Sequence, residues 1–301
     1  MSALLRLMIA SVSFSLYVIN TLFWVIPILV LGIVKLVPLA MLQKRCGAIA
    51  DACASAWVKL NSVNQRVTHG YQLDIRGDVH LNNNQWYMVI ANHQSWVDIL
   101  VLQRALSGKV PFLKFFLKKE LLYVPVLGLA WWALDFPFMR RYSAAQLRRK
   151  PQLKGKDIKT TQKACRKFKH LPVSVMNFVE GTRFTEHKHS QQGGEFTHLL
   201  RPKAGGLAFA ISSIGEQMDK LLDVTIYYPQ GRPSFWQFIS GQVDQVIIDI
   251  QQRPIDAKLR GDYANDRQYK QFFQQWINQV WREKDAHLTQ LAQSAQEAHK
   301  C

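Results

Sequence analysis

Seven consecutive residues, Asn92-His93-Gln94-Ser95-Trp96-Val97-Asp98, hold the side chains best suited to moving a proton. Histidine accepts and returns a proton near neutrality, and a carboxylate against its far ring nitrogen fixes the tautomer that leaves the other nitrogen basic. The apolar run from Trp86 to Ala91 reads as a buried strand, and the spacing from Trp96 to Leu106, closed by Gly108, predicts a helix. A histidine in the loop between them and an aspartate on the first helical turn, five residues on, can turn to face each other. A plainer alternative stands beside this one. Ser95-Trp96-Val97-Asp98 also fits a helix-capping box. A second pair at the same spacing, His69 and Asp74, belongs to an alternating strand-like stretch where neither residue has reason to meet the other. Spacing alone does not choose between these readings.

A second stretch, Phe178-Val179-Glu180-Gly181-Thr182-Arg183-Phe184-Thr185, follows another strand-like run, Val173 to Asn177. With it the pattern becomes specific. Residues 92–98 resemble the first motif of the glycerolipid acyltransferases of the lysophosphatidic acid acyltransferase type, and Glu180-Gly181-Thr182-Arg183 resembles their third. Phe136-Pro137-Phe138-Met139-Arg140-Arg141 is similar to the second, and Arg201-Pro202-Lys203-Ala204-Gly205-Gly206 to the approach to the fourth, so the resemblance runs from Trp86 to Tyr228 in the family's order. One departure is visible: Val179 stands where the third motif often carries proline.

The resemblance implies an α/β glycerolipid acyltransferase fold, a mixed sheet flanked by helices with an N-terminal membrane helix or helix pair, in a bacterial inner-membrane enzyme. It implies transfer of a fatty acyl group from a thioester, acyl-CoA or acyl-acyl carrier protein, to the sn-2 hydroxyl of lysophosphatidic acid, forming phosphatidic acid in phospholipid biosynthesis. His93 would take the hydroxyl proton and Asp98 would orient it, with Asn92, Ser95 and Trp96 completing the motif. Direct attack by the hydroxyl requires no serine or cysteine nucleophile, and none sits in a recognisable setting. A phosphate needs cations, and guanidinium binds its oxygens in a bidentate fork. Arg183 is the first choice, supported by Arg140, Arg141 and Lys118, while Glu180, Gly181 and Thr182 would shape the same acceptor pocket. Two further readings stay open: remodelling of another lysophospholipid such as lysophosphatidylglycerol, and a basic membrane-bound scaffold without activity. The crowded apolar stretch from Phe112 to Phe138 could line a tunnel for the acyl chain.

The rest of the 301 residues must position this site. From Leu7 to Val34 no charged residue occurs in 28 positions, more than the ~20 a helix needs to cross a bilayer core. Without a clear cleavage site the segment is expected to be retained. Ala48, Ile49, Ala52, Cys53, Ala56, Trp57 and Leu60 then form a helical stripe, so either one spanning helix precedes an interfacial helix, which the uncharged length favours, or a hairpin lies on one leaflet. Lys35, Lys44, Arg45, Lys59 and Arg66 follow with only Asp51 among them, which places the remainder in the cytoplasm. The three expected parts are membrane-anchoring helices over 1–66, an α/β domain over 67–260 and a C-terminal amphipathic helix over 261–301. Strand-like runs near Tyr71 to Ile75, Trp86 to Ala91, Val110 to Leu113, Val173 to Phe178, Val224 to Tyr228 and Val243 to Ile250 alternate with helical patterns.

The net charge of +17 is concentrated between Arg140 and Lys169, where 12 Lys or Arg face one acid. Few aromatics accompany them and no nucleic-acid fold is recognisable, so the partner expected is an anionic membrane or an acidic carrier protein. Cys46, Cys53, Cys165 and Cys301 form neither a disulfide framework nor a zinc spacing, and Cys301 is not part of a prenylation box. His187, His189 and His198 lie in a polar, Gly-containing stretch read as a loop beside the site, without the acids or cysteines of a metal set, so neither metal nor cofactor is expected.

Overall fold

The structure is a computed structural model that describes residues 2–139, 149, 168 and 171–298. Arg140, Arg141 and most of the basic stretch to Lys169 lie outside the described residues. Among the described residues there are eight strands: β1 (Gln72–Gly77), β2 (Tyr87–Ala91), β3 (Leu113–Phe115), β4 (Leu117–Lys118), β5 (Phe138–Met139), β6 (Ser174–Phe178), β7 (Lys220–Tyr227) and β8 (Gln245–Pro254). Six of them make one sheet in the order β1-β8-β7-β2-β6-β3, parallel throughout except where β7 meets β8, and β4 pairs with β5 apart from it. Each expected strand falls on one of these six. The third begins late because Lys109 and Val110 still donate to the Leu106 carbonyl as the chain leaves its helix.

Side chains alternate across β2, and its five residues are all buried. Tyr87, Val89 and Ala91 enter one apolar core, Met88 and Ile90 the other. The first face carries α1 (Ala3–Val34), α2 (Ala40–Asn64), α3 (Asp98–Leu106), α4 (Leu127–Ala133) and, beyond the short α5 (Glu186–Gln191), residues of α7 (Phe235–Ile239). The second carries α6 (Ala204–Ile214) and α8 (Arg267–Ala298). The C-terminal stripe docks on the domain: Phe273, Ile277, Val280 and Trp281 are buried there.

The N-terminal helix departs from the expectation of a free span. It is long and apolar enough to cross a membrane, yet one side is packed on the protein from end to end. Ala10, Ser13, Tyr17, Val25, Ile28 and Gly32 are buried, a series at helical spacing. Small polar residues hidden in the uncharged run hold this side: the Asn20 amide donates to the Trp57 carbonyl and Asn61, Trp57 donates to Thr21, and Asn64 donates to the Ser13 carbonyl. At one end Arg6 donates to Gln242, and at the other Lys35 pairs with Asp135 at 2.5 Å. Gly32 is needed for the approach to α4, since a Cβ there would come 2.6 Å from the Ala133 Cβ. The opposite side exposes Leu4, Phe14, Ile19, Phe23, Ile26 and Ile33.

His69 is likewise not on a strand. It ends a π-helical turn, Gln65–His69, and its Nε2 lies 2.6 Å from Ser13 Oγ, while Asp74 pairs with Arg76. Burial and the nearby Arg104 push this imidazole down to about 4, so it is neutral in the fold.

The two end contacts hold the helix along the domain. Single cysteines at Ser2 and Lys35 in a cysteine-free background are therefore expected to react with an impermeant thiol reagent from the same side of sealed vesicles. Labelling of the two from opposite sides would show that α1 crosses.

Candidate active site

The segments that meet at the site leave the C-terminal ends of three adjacent parallel or neighbouring strands, β7, β2 and β6, where ligands of open α/β sheets bind. Residues 92–98 follow β2, residues 179–185 follow β6, and Tyr228 follows β7. Asn92 extends β2 with its side chain: its Oδ1 accepts from the Ile226 amide and its Nδ2 donates to the Ile226 carbonyl. This buried amide reproduces one rung of a strand ladder and fixes where the loop begins.

His93 and Asp98 meet. His93 Nδ1 is 2.8 Å from Asp98 Oδ2, and because a carboxylate only accepts, Nδ1 carries the proton and Nε2 keeps its lone pair. Asp98 is 0% exposed, and three other donors satisfy it: the amides of Gln94 at 2.6 Å and Ser95 at 2.9 Å, and the Tyr228 hydroxyl at 2.7 Å. Four donors on one buried carboxyl group hold it in place. The imidazole is also clamped from the side, its ring stacked on Phe178 at 3.9 Å.

The capping alternative is realised only in half. Asp98 takes the Ser95 amide, but the Ser95 hydroxyl donates to the Pro233 carbonyl and accepts from Val97, and the helix starts at Asp98 instead of Trp96. Trp96 is left 59% exposed, with the Arg183 guanidinium 4.0 Å above its ring.

The Glu180-Gly181-Thr182-Arg183 stretch divides. Gly181 adopts φ +71°, a left-handed turn that aims the next two residues outward. Thr182 accepts from Lys188, and Arg183 makes no ion pair among the described residues. Glu180 goes the other way, and its expected place in the acceptor pocket is corrected. It is 0% exposed, with Oε1 accepting from the His93 amide at 3.0 Å and Oε2 from the Leu200 amide at 3.2 Å. Desolvation pushes this carboxyl up to about 8, against the pull of those two amides. Lys118 is exposed on the separate β4–β5 ribbon and shares no hydrogen bond or ion pair with the His93 loop among the described residues. Arg140 and Arg141 lie outside the described residues.

Sequence reasoning missed four contributors. Tyr228 was visible only as the end of a strand, Phe178 as a core residue, and Gln94 as motif filler. Arg232 carried no signal: it donates to Gln94 and Glu186 while lying 3.6 Å over Phe184. The His187 to His198 stretch is also no plain loop, since Thr185 caps α5. His189 bonds the Phe196 carbonyl and His198 bonds Thr289. Among the described residues no three His, Cys, Asp or Glu side chains are grouped to hold a metal ion.

An apolar cavity of about 410 Å³ lies between α1, α2, α3 and α4, within the roughly 300–1,000 Å³ of small-molecule sites. Trp57, Leu100, Phe112, Trp131 and Phe136 line it, and so does Phe115, which stacks on the Phe178 that supports His93. Part of the crowded stretch between the first two motifs therefore lines this apolar cavity, with the rings of Phe115 and Phe178 between it and the imidazole.

A family model described as Acyltransferase matches residues 72–228. The chain is 25% identical over 215 residues to 1-acyl-sn-glycerol-3-phosphate acyltransferase 3 of Arabidopsis thaliana, which covers 67% of this chain and 52% of that protein. It is 25% identical over 273 residues to lysocardiolipin acyltransferase 1 of Danio rerio, covering 84% and 64%. It is 26% identical over 215 residues to 1-acyl-sn-glycerol-3-phosphate acyltransferase gamma of Homo sapiens, covering 66% and 51%. The chain thus spans between about half and two thirds of the length of these relatives. A solved structure, the 1-acyl-sn-glycerophosphate (LPA) acyltransferase of Thermotoga maritima, covers 91% of this chain and 98% of its own at 18% identity and a TM-score of 0.45.

The shifted carboxyl has a measurable consequence. With its folded value above its unfolded one, Glu180 favours folding below about 4.5, and that contribution is lost as pH rises to about 8. The stability of the wild type should therefore fall relative to Glu180→Gln across that window, by at most about 1.4 kcal/mol per pH unit. Parallel stability curves for the two proteins would show that Glu180 is not shifted.

Proposed function

The chain belongs to the acyltransferase family, and from that premise we propose that it transfers a fatty acyl group from a thioester to the sn-2 hydroxyl of lysophosphatidic acid. The observation that carries this reading is the fixed pair of His93 and Asp98 beside an arginine with no anionic partner among the described residues. The acceptor hydroxyl gives its proton to His93 Nε2 as its oxygen attacks the thioester carbonyl. The imidazolium so formed faces Asp98, whose charge stabilises it. The thiolate leaves as the ester carbonyl re-forms and takes the proton back from His93. Arg183, lying on Trp96 at the mouth, grips the phosphate, and the cavity behind Phe115 takes the acyl chain. The donor is acyl-CoA or acyl-acyl carrier protein, and the chemistry needs no cofactor.

The site is reached from a membrane. The exposed apolar side of α1 lies on one leaflet of the inner membrane with the domain on the cytoplasmic side, which the basic residues after the segment, Lys35, Lys44, Arg45, Lys59 and Arg66, support. Conversion of another lysophospholipid is the second reading, favoured by the lysocardiolipin acyltransferase relative, whose match covers 84% of the chain.

The base is tested by a comparison of two histidines. His93→Ala should lose at least about 100-fold in turnover, the low end for a general base. His69→Ala, on a ring that bonds Ser13, should lose stability but keep turnover per folded molecule. Equal losses per folded molecule would sink the assignment.

The acceptor is tested at Arg183. Loss of a charge-assisted contact of about 1.5–3 kcal/mol in Arg183→Ala should lower kcat/KM for lysophosphatidic acid roughly 10-fold to 100-fold, with the donor KM unmoved. Arg183→Lys should recover only part, keeping the charge without the fork. If wild type prefers lysophosphatidylglycerol, or the substitution moves only the donor KM, the lysophosphatidic acid reading is wrong.

A further inference from the structure

Helix α8 lies outside residues 72–228, the part matched by the family model. It nevertheless reaches the site through backbone groups. Lys284 is 3% exposed, with its ammonium 2.7 Å from Asp223 Oδ1 and donating to the Val224 carbonyl and the Thr225 hydroxyl of β7. A buried cation with three partners on one strand fixes the helix in both rotation and translation. The next residue, Asp285, is thereby aimed at the segment that crosses behind the site. Its two oxygens accept from the Thr197 amide at 2.7 Å and the His198 amide at 2.8 Å. One turn further on, Thr289 bonds the His198 ring at 3.2 Å.

That segment has two contacts with the catalytic loop. The His198 carbonyl accepts from the Gln94 side-chain amide at 3.2 Å, and the Leu200 amide donates to Glu180, which holds the His93 amide. Both routes end on neighbouring residues, His93 and Gln94. Without Asp285 two amides would lose a charged acceptor, the 197–200 segment would loosen, and the carboxylate behind His93 would lose its second anchor. Nothing in this chain of contacts touches the acceptor or the acyl donor as placed above. It determines where the imidazole stands.

We propose that Asp285 is a positioning residue for His93, acting from the C-terminal helix through residues 197–200 and Glu180. The activity arm of its test rests on the acyl-transfer reading; the exchange arm does not. In Asp285→Ala, kcat should fall about tenfold or more with the KM of both substrates within about twofold, because misplacement of the base affects the reacting geometry and not ground-state binding. Asp285→Asn keeps one acceptor and should recover most of the loss. It also retains the side-chain volume if the alanine variant fails to fold. Combined with Glu180→Gln, which removes one of the two routes, Asp285→Ala should cost less than the sum of the two single losses, whereas a merely structural role would give additive losses. Hydrogen exchange at the amides of His93 and Gln94 should speed up at least about tenfold in Asp285→Ala without substrate. Arg282→Ala, two residues before Lys284 and exposed, should change neither readout. Unchanged exchange at His93 and Gln94, or additive losses in the double variant, would overturn the proposal. Faster exchange in a protein whose wild type transfers no acyl group would uphold it and overturn the acyl-transfer reading instead.

Discussion

A carboxylate with no access to water must be met by donors, and Asp98 is met by four. Its position constrains everything around it. Two of the donors are amides of its own loop, so the chain between Asn92 and Asp98 has to curl over the carboxylate before the helix can begin. The third is the imidazole, which is thereby oriented, and the fourth comes from Tyr228 at the end of a neighbouring strand. Removing any one would leave a buried acceptor under-bonded, at a cost of about 1–3 kcal/mol. The same set of bonds therefore serves folding and chemistry, and the geometry of the base cannot drift without disturbing the end of the central sheet.

The second carboxylate shows how the same environment can be used differently. Glu180 is as deeply buried but has only two amide donors, and burial outweighs them. The two acids stand on either side of one loop, one holding the histidine ring and the other its backbone amide. A motif that looks like one binding surface in sequence is thus split by Gly181: the glutamate turns inward to support the base, and the arginine turns outward to solvent and Trp96.

Much of this was legible from local pattern. The five-residue separation of His93 and Asp98, the six strands and the docking stripe from Phe273 to Trp281 all express local pattern, which survives folding where a strand such as β2 buries both faces and the helix buries one. What could not be read depends on partners far away in the chain. Tyr228 is 130 residues from Asp98, and Asp285 is 87 from His198. The docked side of the N-terminal helix was not legible for a different reason. Ser13, Asn20 and Thr21 count as uncharged in a hydropathy pattern, but each is a hydrogen-bonding group that a lipid-immersed helix would have to satisfy and that α2 or the turn after it satisfies here. Glu180 misled because its neighbours in sequence face substrate space while it faces the core.

The ties at the two ends of α1 also impose an order of events on a chain made from its N-terminus. The helix leaves the ribosome well before the groups that hold its ends, since Asp135 and Gln242 follow Lys35 and Arg6 by 100 and 236 residues. Until α4 and Asp135 emerge, its hairpin partner α2 and the turn after it are the described parts of its docking surface that exist. The polar ladder from Ser13 to Thr21 can be closed by α2 and the turn after it at once. The apolar side of α1 is exposed among the described residues. The hairpin is thus a platform on which the later sheet is assembled, and the nascent chain acquires its address before it acquires its chemistry.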